Sequence, residues 1–182
     1  MVGLGNPGLR YAPTRHNLGY WVLERLLAAG VWSRARYAWG EVFSGPRGRL
    51  LRPLTYMNRS GEAVAAYRNL HRTELEELLV VYDDVDLPVG EVRLQPRGGP
   101  GSHRGMRSVV SCLGTEDVPR LRVGVGAPPA GVDLADYVLA APAGEQVPAL
   151  AAAADLAAEL AGHFLAVGLR GALDAFARAR QE

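Results

Sequence analysis

The sequence predicts an α/β fold, a single three-layer domain over residues 1–182 with a twisted mixed sheet and helices on both faces. Three observations carry that prediction. Apolar runs of strand length alternate with stretches of helical spacing along most of the chain. Leu79-Val80-Val81-Tyr82 is continuously apolar, as expected of a central strand covered on both faces. Gly45-Pro46-Arg47-Gly48, between two apolar stretches, reads as a hairpin turn that adds antiparallel edges.

In chain order, residues 1–4 read as a very short strand, and Leu18, Val22, Leu23, Leu26 and Leu27 follow at helical spacing until Gly30 stops the helix. Residues 37–43 and 50–54 read as the two strands of the hairpin. Thr55-Tyr56-Met57-Asn58 leads into an amphipathic helix with Ala63, Val64, Tyr67 and Leu70 on its apolar face. Thr73 and Glu76 have the spacing of a capping box for a short further helix. The central strand ends in Asp83-Asp84-Val85-Asp86-Leu87-Pro88, and residues 91–94 resume as a strand before a glycine-rich loop, 97–105. A helix to about Leu113, a strand at 121–125, a Pro128-Pro129-Ala130-Gly131 loop of the kind that acts as a lid, and helices at 134–139, 144–164 and 169–180 complete the chain.

At 182 residues the chain can bury a core that needs no disulfide or metal staple. Cys112 stands alone, and with no charged-then-apolar leader and no run of 18 apolar residues the expectation is a soluble protein of a reducing cytoplasm; a monomer is also expected, on none of these features. Neither an internal repeat nor a linker is visible. The net charge of +1 is unevenly spread. Residues 93–122 carry six arginines against Glu116 and Asp117, whereas residues 123–182 carry three arginines against seven acids. A basic middle suits a phosphate-bearing partner, and it equally suits an ordinary solvated face.

The first nineteen residues hold two polar clusters around a turn-rich loop: Gly3-Leu4-Gly5-Asn6-Pro7-Gly8, then Arg15-His16-Asn17-Leu18-Gly19. Gly3-x-Gly5-x-x-Gly8 matches the dinucleotide fingerprint in letters but not in context. That fingerprint needs a helix opening on its third glycine and an acid at the end of a second strand, whereas Pro7 and Pro13 interrupt the region and Glu24 falls inside a helix. His16 offers a base that titrates near neutrality. In open α/β sheets reactive groups collect at the carboxyl ends of strands, where Asn6, Asn58 and Asp83 all fall. Asp83 could then bind one imidazole nitrogen of His16 and leave the other to deprotonate water. Each residue also has a purely structural reading, as a turn, a cap or a loop histidine. Asp83, Asp84 and Asp86 could alternatively hold Mg²⁺, although the histidines at 16, 71, 103 and 163 have no metal-ligand spacing. No G-x-S-x-G nucleophile motif occurs.

Five motifs together resemble the bacterial-type peptidyl-tRNA hydrolase family. They are Gly3-Leu4-Gly5-Asn6-Pro7-Gly8, Tyr11-x-x-Thr14-Arg15-His16-Asn17-x-Gly19, Pro53-x-Thr55-Tyr56-Met57-Asn58-x-Ser60-Gly61, Asp83-Asp84-x-Asp86-Leu87-Pro88-x-Gly90 and Arg120-Leu121-Arg122-x-Gly124-x-Gly126. They occur in order over nearly the whole chain. The resemblance implies hydrolysis of the ester between a peptide and the 3′-terminal ribose of tRNA, with no metal and no organic cofactor. By position it implies His16 as base, Asp83 as its orienting carboxylate, and Asn6, Tyr11, Met57, Asn58 and the position of Arg104 as substrate-binding. Arg93 and Arg122 fall where the family clamps the tRNA 5′-phosphate. Two departures stand out: Arg104 replaces a site asparagine, and few apolar residues precede Gly3, so the first strand is expected to be short. The competing readings are a non-catalytic RNA-binding relative and a metal-dependent phosphohydrolase.

Overall fold

The computed structural model describes residues 1–179. Seven strands form one open sheet in the order β2-β3-β4-β1-β5-β7-β6. β1 (Val2–Gly3) lies between β4 (Gly48–Pro53) and β5 (Val80–Asp84) and is parallel to both; β5 is parallel to β7 (Arg120–Gly124). The antiparallel pairs are β2 (Ser33–Tyr37) with β3 (Gly40–Gly45), β3 with β4, and β6 (Val92–Gln95) with β7. The sheet is therefore mixed, as predicted.

Its two faces explain the alternation seen in the sequence. On one face α1 (Leu18–Ala28) and α5 (Gln146–Ala179) pack Leu18, Val22, Leu23, Leu150, Ala154 and Phe164 against Val81, Leu121 and Val123. On the other, α2 (Ser60–His71) and α3 (Arg104–Leu113) pack Val64, Tyr67, Met106 and Val109 against Val2, Leu51, Val80 and Tyr82. Val80 and Val81 are fully buried on opposite faces, which is why this strand shows no polar alternation.

One close approach places the site. A Cβ on Gly19 would lie 2.4 Å from Leu4 N and from Val81 O, and one on Gly3 would lie 2.2 Å from Gly19 O. Only glycines at this crossing let the start of α1 sit directly on β1 and β5. The turn preceding α1, Arg15–Asn17, is thereby held over the sheet's carboxyl edge.

The structure departs from the sequence expectations at several points. Residues 37–43 are not one strand: a turn at Ala38-Trp39 separates β2 from β3, making a three-stranded meander. The capping box is Glu74 with Glu77 on a short turn, Leu75–Glu77, one residue later than expected. The two C-terminal helices run together as α5, with non-helical geometry only at Gly168 (φ 74°, ψ −177°). The expected end of the last helix at Arg180 lies outside the described residues. Within α5, Gln146–Arg178 is long and apolar enough to cross a membrane by length and composition, although charged residues such as Asp155 and Glu159 interrupt its apolar run in the sequence. Its apolar face, including Leu150, Ala154, Ala157, Ala161 and Phe164, belongs to the core.

Candidate active site

A pocket of about 490 Å³ opens at the carboxyl ends of β1 and β5. His16, Asp83, Asn6, Tyr11, Met57, Asn58, Arg104 and Arg122 all line it, so the fold brings together eight of the nine residues singled out from the sequence. Arg93 is the exception and lies beside the pocket. It is the direct cross-strand neighbour of Arg122, so the two arginines share one sheet face.

At the centre is Asp83, the fourth residue of β5, with 1% of its surface exposed. His16 Nδ1 donates to both of its oxygens, at 3.0 and 3.1 Å. A second imidazole, which the sequence reading left out, completes the arrangement: His103 Nε2 donates to Asp83 Oδ1 at 3.0 Å. His103 also caps α3, its Nδ1 accepting from the Met106 N–H at 3.1 Å. That bond makes Nδ1 the acceptor nitrogen and Nε2 the protonated one. Its ring packs between those of His16 (centroids 4.8 Å apart) and Tyr82 (4.7 Å).

The electrostatics follow from this geometry. Burial alone would push Asp83 up, but the two imidazoles and their hydrogen bonds outweigh it and hold the carboxyl well below the usual range. For His16, burial acts downward, while the charge and hydrogen bond of Asp83 raise it above its ordinary value of 6.5, with Arg104 acting against them. With Nδ1 committed to Asp83, His16 Nε2 has no partner among the described residues and is the nitrogen left to take a proton.

Asn6 is locked by the same turn. Its backbone N–H donates to Asn17 Oδ1 at 2.8 Å, and its carbonyl accepts from Asn17 Nδ2 at 3.0 Å. Its own Oδ1 accepts from the Met57 N–H at 2.8 Å, which leaves its amide nitrogen unpartnered among the described residues in the pocket. Asn17 is a second residue that the sequence reading passed over, although it adjoins His16 in the same motif. At the mouth, Tyr11 and Tyr56 meet edge to face with centroids 6.4 Å apart.

The acidic run Asp83-Asp84-x-Asp86 does not gather as a cation site. Asp83 is held between two imidazoles, whereas Asp84 Oδ2 accepts from Arg122 Nε at 2.6 Å and its Oδ1 accepts from the Asp86 N–H at 2.9 Å. His16, Asp83 and His103 do offer ligand atoms within 4.8 Å of one another, which sequence spacing had not suggested. A cation there would have to replace both imidazole protons that now bond Asp83.

An open α/β sheet whose strand ends carry a buried carboxylate, an imidazole with one free nitrogen and an unpartnered amide has the layout of a hydrolase that activates water. The chain belongs to the peptidyl-tRNA hydrolase family, whose model matches residues 1–182. It is 51% identical over 145 residues to a peptidyl-tRNA hydrolase of Chloroflexus aggregans, covering 76% of this chain and 77% of that one. It is 45% identical over 186 residues to one from a Synechococcus strain, covering 97% and 81%. The crystal structure of the Acinetobacter baumannii peptidyl-tRNA hydrolase superposes with a TM-score of 0.83 at 33% identity, covering 91% of this chain and 86% of that chain.

Proposed function

We propose that the chain, acting as one domain over residues 1–182, hydrolyses the ester between a peptide and the 3′-terminal ribose of tRNA, with His16 Nε2 as general base. The base takes a proton from water, the resulting hydroxide attacks the ester carbonyl, and the proton returns to the departing ribose oxygen. Peptide carboxylate and tRNA 3′-hydroxyl are the products. Asp83 fixes the tautomer and stabilises the imidazolium as it forms. The free amide of Asn6 donates to the carbonyl oxygen as it gains charge, while Asn58, Met57, Tyr11 and Arg104 position peptide and ester. Arg93 and Arg122 hold the 5′-phosphate of the acceptor end. No step calls for a metal or organic cofactor, and the enzyme works as a cytoplasmic monomer. The observation that carries this reading is the double contact of His16 Nδ1 with the oxygens of a nearly inaccessible Asp83.

The test is release of peptide from N-blocked aminoacyl-tRNA, with and without EDTA. His16→Ala should lower kcat by about 10² to 10⁴ with tRNA affinity little changed. Normal turnover in that variant would refute the mechanism, and activity lost to EDTA and restored by Mg²⁺ would favour a metal-dependent one.

A further inference from the structure

The turn that carries His16 reaches three walls at once. His16 goes to β5, Asn17 goes to the loop after β1, and Arg15, the residue immediately before the base, goes the other way. Its guanidinium serves the chain around the end of α4 (Leu134–Val138). Nη1 lies 3.1 Å from Tyr137 O, 3.1 Å from Ala140 O and 3.3 Å from Ala141 O, while Nη2 donates to Gln146 Oε1 at 2.7 Å. The backbone N–H of Arg15 adds a bond to Ala140 O at 3.2 Å. The guanidinium also sits 4.2 Å from the ring centroid of Tyr137.

This arginine is only 6% exposed and has no carboxylate partner among the described residues. A buried charge without a counter-ion is costly unless its donors find acceptors; here backbone carbonyls at a helix end and the Gln146 side chain take both terminal nitrogens, while Nε is left without a partner among the described residues. The segment so gathered is no remote scaffold. Leu134, Ala135, Val138 and Leu139 form an apolar wall of the same pocket that Asn6, Asn58 and Arg104 line.

We propose that Arg15 is a positioning residue that fixes this apolar wall relative to His16, and that the wall receives the side chain of the acyl residue whose ester is cleaved. The inference rests on the proposed ester hydrolysis. A displaced wall presents the ester carbonyl to His16 at the wrong distance, and a misplacement of about 1 Å costs on the order of 10²-fold in rate. The effect depends on the substrate: a bulky apolar acyl side chain touches the wall, whereas glycine has nothing to touch it with.

The experiment compares Arg15→Lys with the wild type on N-blocked leucyl-tRNA and N-blocked glycyl-tRNA, with unfolding temperature and affinity for deacylated tRNA measured alongside. Lysine keeps the charge but cannot span four acceptors with a planar fork. The expected result is a fall of about tenfold or more in kcat/KM for the leucyl substrate, a clearly smaller fall for the glycyl one, an unmoved acid limb of the pH profile, and unchanged affinity for deacylated tRNA. Equal losses on the two substrates, or losses accounted for by a reduced fraction of active enzyme, would make Arg15 a structural residue only and overturn the proposal. If Arg15→Lys does not fold, Gln146→Ala removes one bond of the clamp, and the same leucyl-over-glycyl bias is expected at smaller size; its absence would overturn the proposal too. Failure of the wild type to hydrolyse either ester would instead remove the functional reading itself.

Discussion

Replacing Asp83 by asparagine tests the centre of the site, because the amide removes the negative charge that both imidazoles face and sets an NH₂ group beside one of them. His103 presents a protonated Nε2 to Asp83 Oδ1, its tautomer fixed by the Met106 N–H, and His16 presents a protonated Nδ1 to both oxygens. With the amide oxygen at the Oδ1 position both imidazoles can still donate to it, but the NH₂ group that replaces Oδ2 lies 3.1 Å from His16 Nδ1 and favours the His16 tautomer in which Nδ1 accepts. Its Nε2 then carries a proton and cannot act as base. The substitution also removes the carboxylate that stabilises the imidazolium. Opposite charges at the observed 3.0 Å in an effective dielectric of 20 attract by about 5 kcal/mol, an upper bound for delocalised charges worth about 10⁴ in rate. We therefore expect Asp83→Asn to lower kcat by about 10³ to 10⁴. The pH profile adds a sign. In the wild type Asp83 raises His16, so the acid limb of kcat/KM should inflect above 6.5. In the variant the remaining influences, burial and Arg104, both act downward, so whatever activity persists should extend to lower pH. Steady-state hydrolysis of N-blocked aminoacyl-tRNA across pH 5 to 9 measures both. A kcat within about tenfold of wild type with an unmoved limb would refute the assignment.

Arg122→Ala should raise KM for full-length peptidyl-tRNA more than Arg93→Ala, because it also leaves the carboxylate of Asp84 unpaired in the pocket; each should reduce the salt slope by about one, read from KM as a function of ionic strength. Arg120 is 1% exposed and donates to the carbonyls of Val118, Gly99 and Glu116, so Arg120→Met should destabilise the fold by about 3 to 5 kcal/mol in chemical denaturation. Arg104 is exposed, has no partner among the described residues, and pulls His16 downward. Arg104→Asn should accordingly move the acid limb to higher pH, raise kcat above that limb and weaken tRNA binding by about fivefold, measured at matched salt. A large fall in kcat would show that the arginine has its own part in the reaction.

What could be read from the sequence divides along physical lines. The pairing of His16 with Asp83 was legible because strand ends collect polar groups and the apolar run before Asp83 marks a buried strand. The second imidazole was not. His103 reaches Asp83 from the end of a loop that Arg120 ties back through the carbonyls of Gly99 and Glu116. Nothing local to His103 announces a contact made by an arginine seventeen positions away. The break of the 37–43 stretch was hidden for a related reason: Ala38-Trp39 is not a recognisable turn sequence, and Tyr37 stacks on Trp39 with centroids 4.7 Å apart across it. The capping box moved by one residue because α2 ends at Arg72 in the left-handed conformation (φ 50°), and the Thr73 N–H returns to Arg68 O. That commits Thr73 to closing α2 and leaves Glu74 to open the next turn.

The basic middle shows most clearly why charge counted along a chain misleads. Arg120 is sealed among carbonyls and meets no partner's phosphate. Arg122 and Arg93 sit side by side, but each already holds a carboxylate, Asp84 at 2.6 Å and Glu91 at 2.6 Å. Arg97 lies 3.9 Å from Asp117, and among the described residues Arg107 reaches only the Gly101 carbonyl, at 3.5 Å. On the proposed reading, a tRNA phosphate at the Arg93–Arg122 pair would compete with Glu91 and Asp84 for the same donors. Competition of that kind weakens a single contact and sharpens the selection, since only a doubly charged terminal phosphate placed between both guanidiniums outbids two separate carboxylates, whereas a singly charged internal phosphodiester does not. On the same reading, internal acid pairing would favour a 5′-terminal phosphate over the rest of the backbone. It also predicts that removing Glu91 will tighten tRNA binding while reducing the preference for 5′-phosphorylated over 5′-hydroxyl acceptor stems; tighter binding with the preference intact would show that the acids play no part in it.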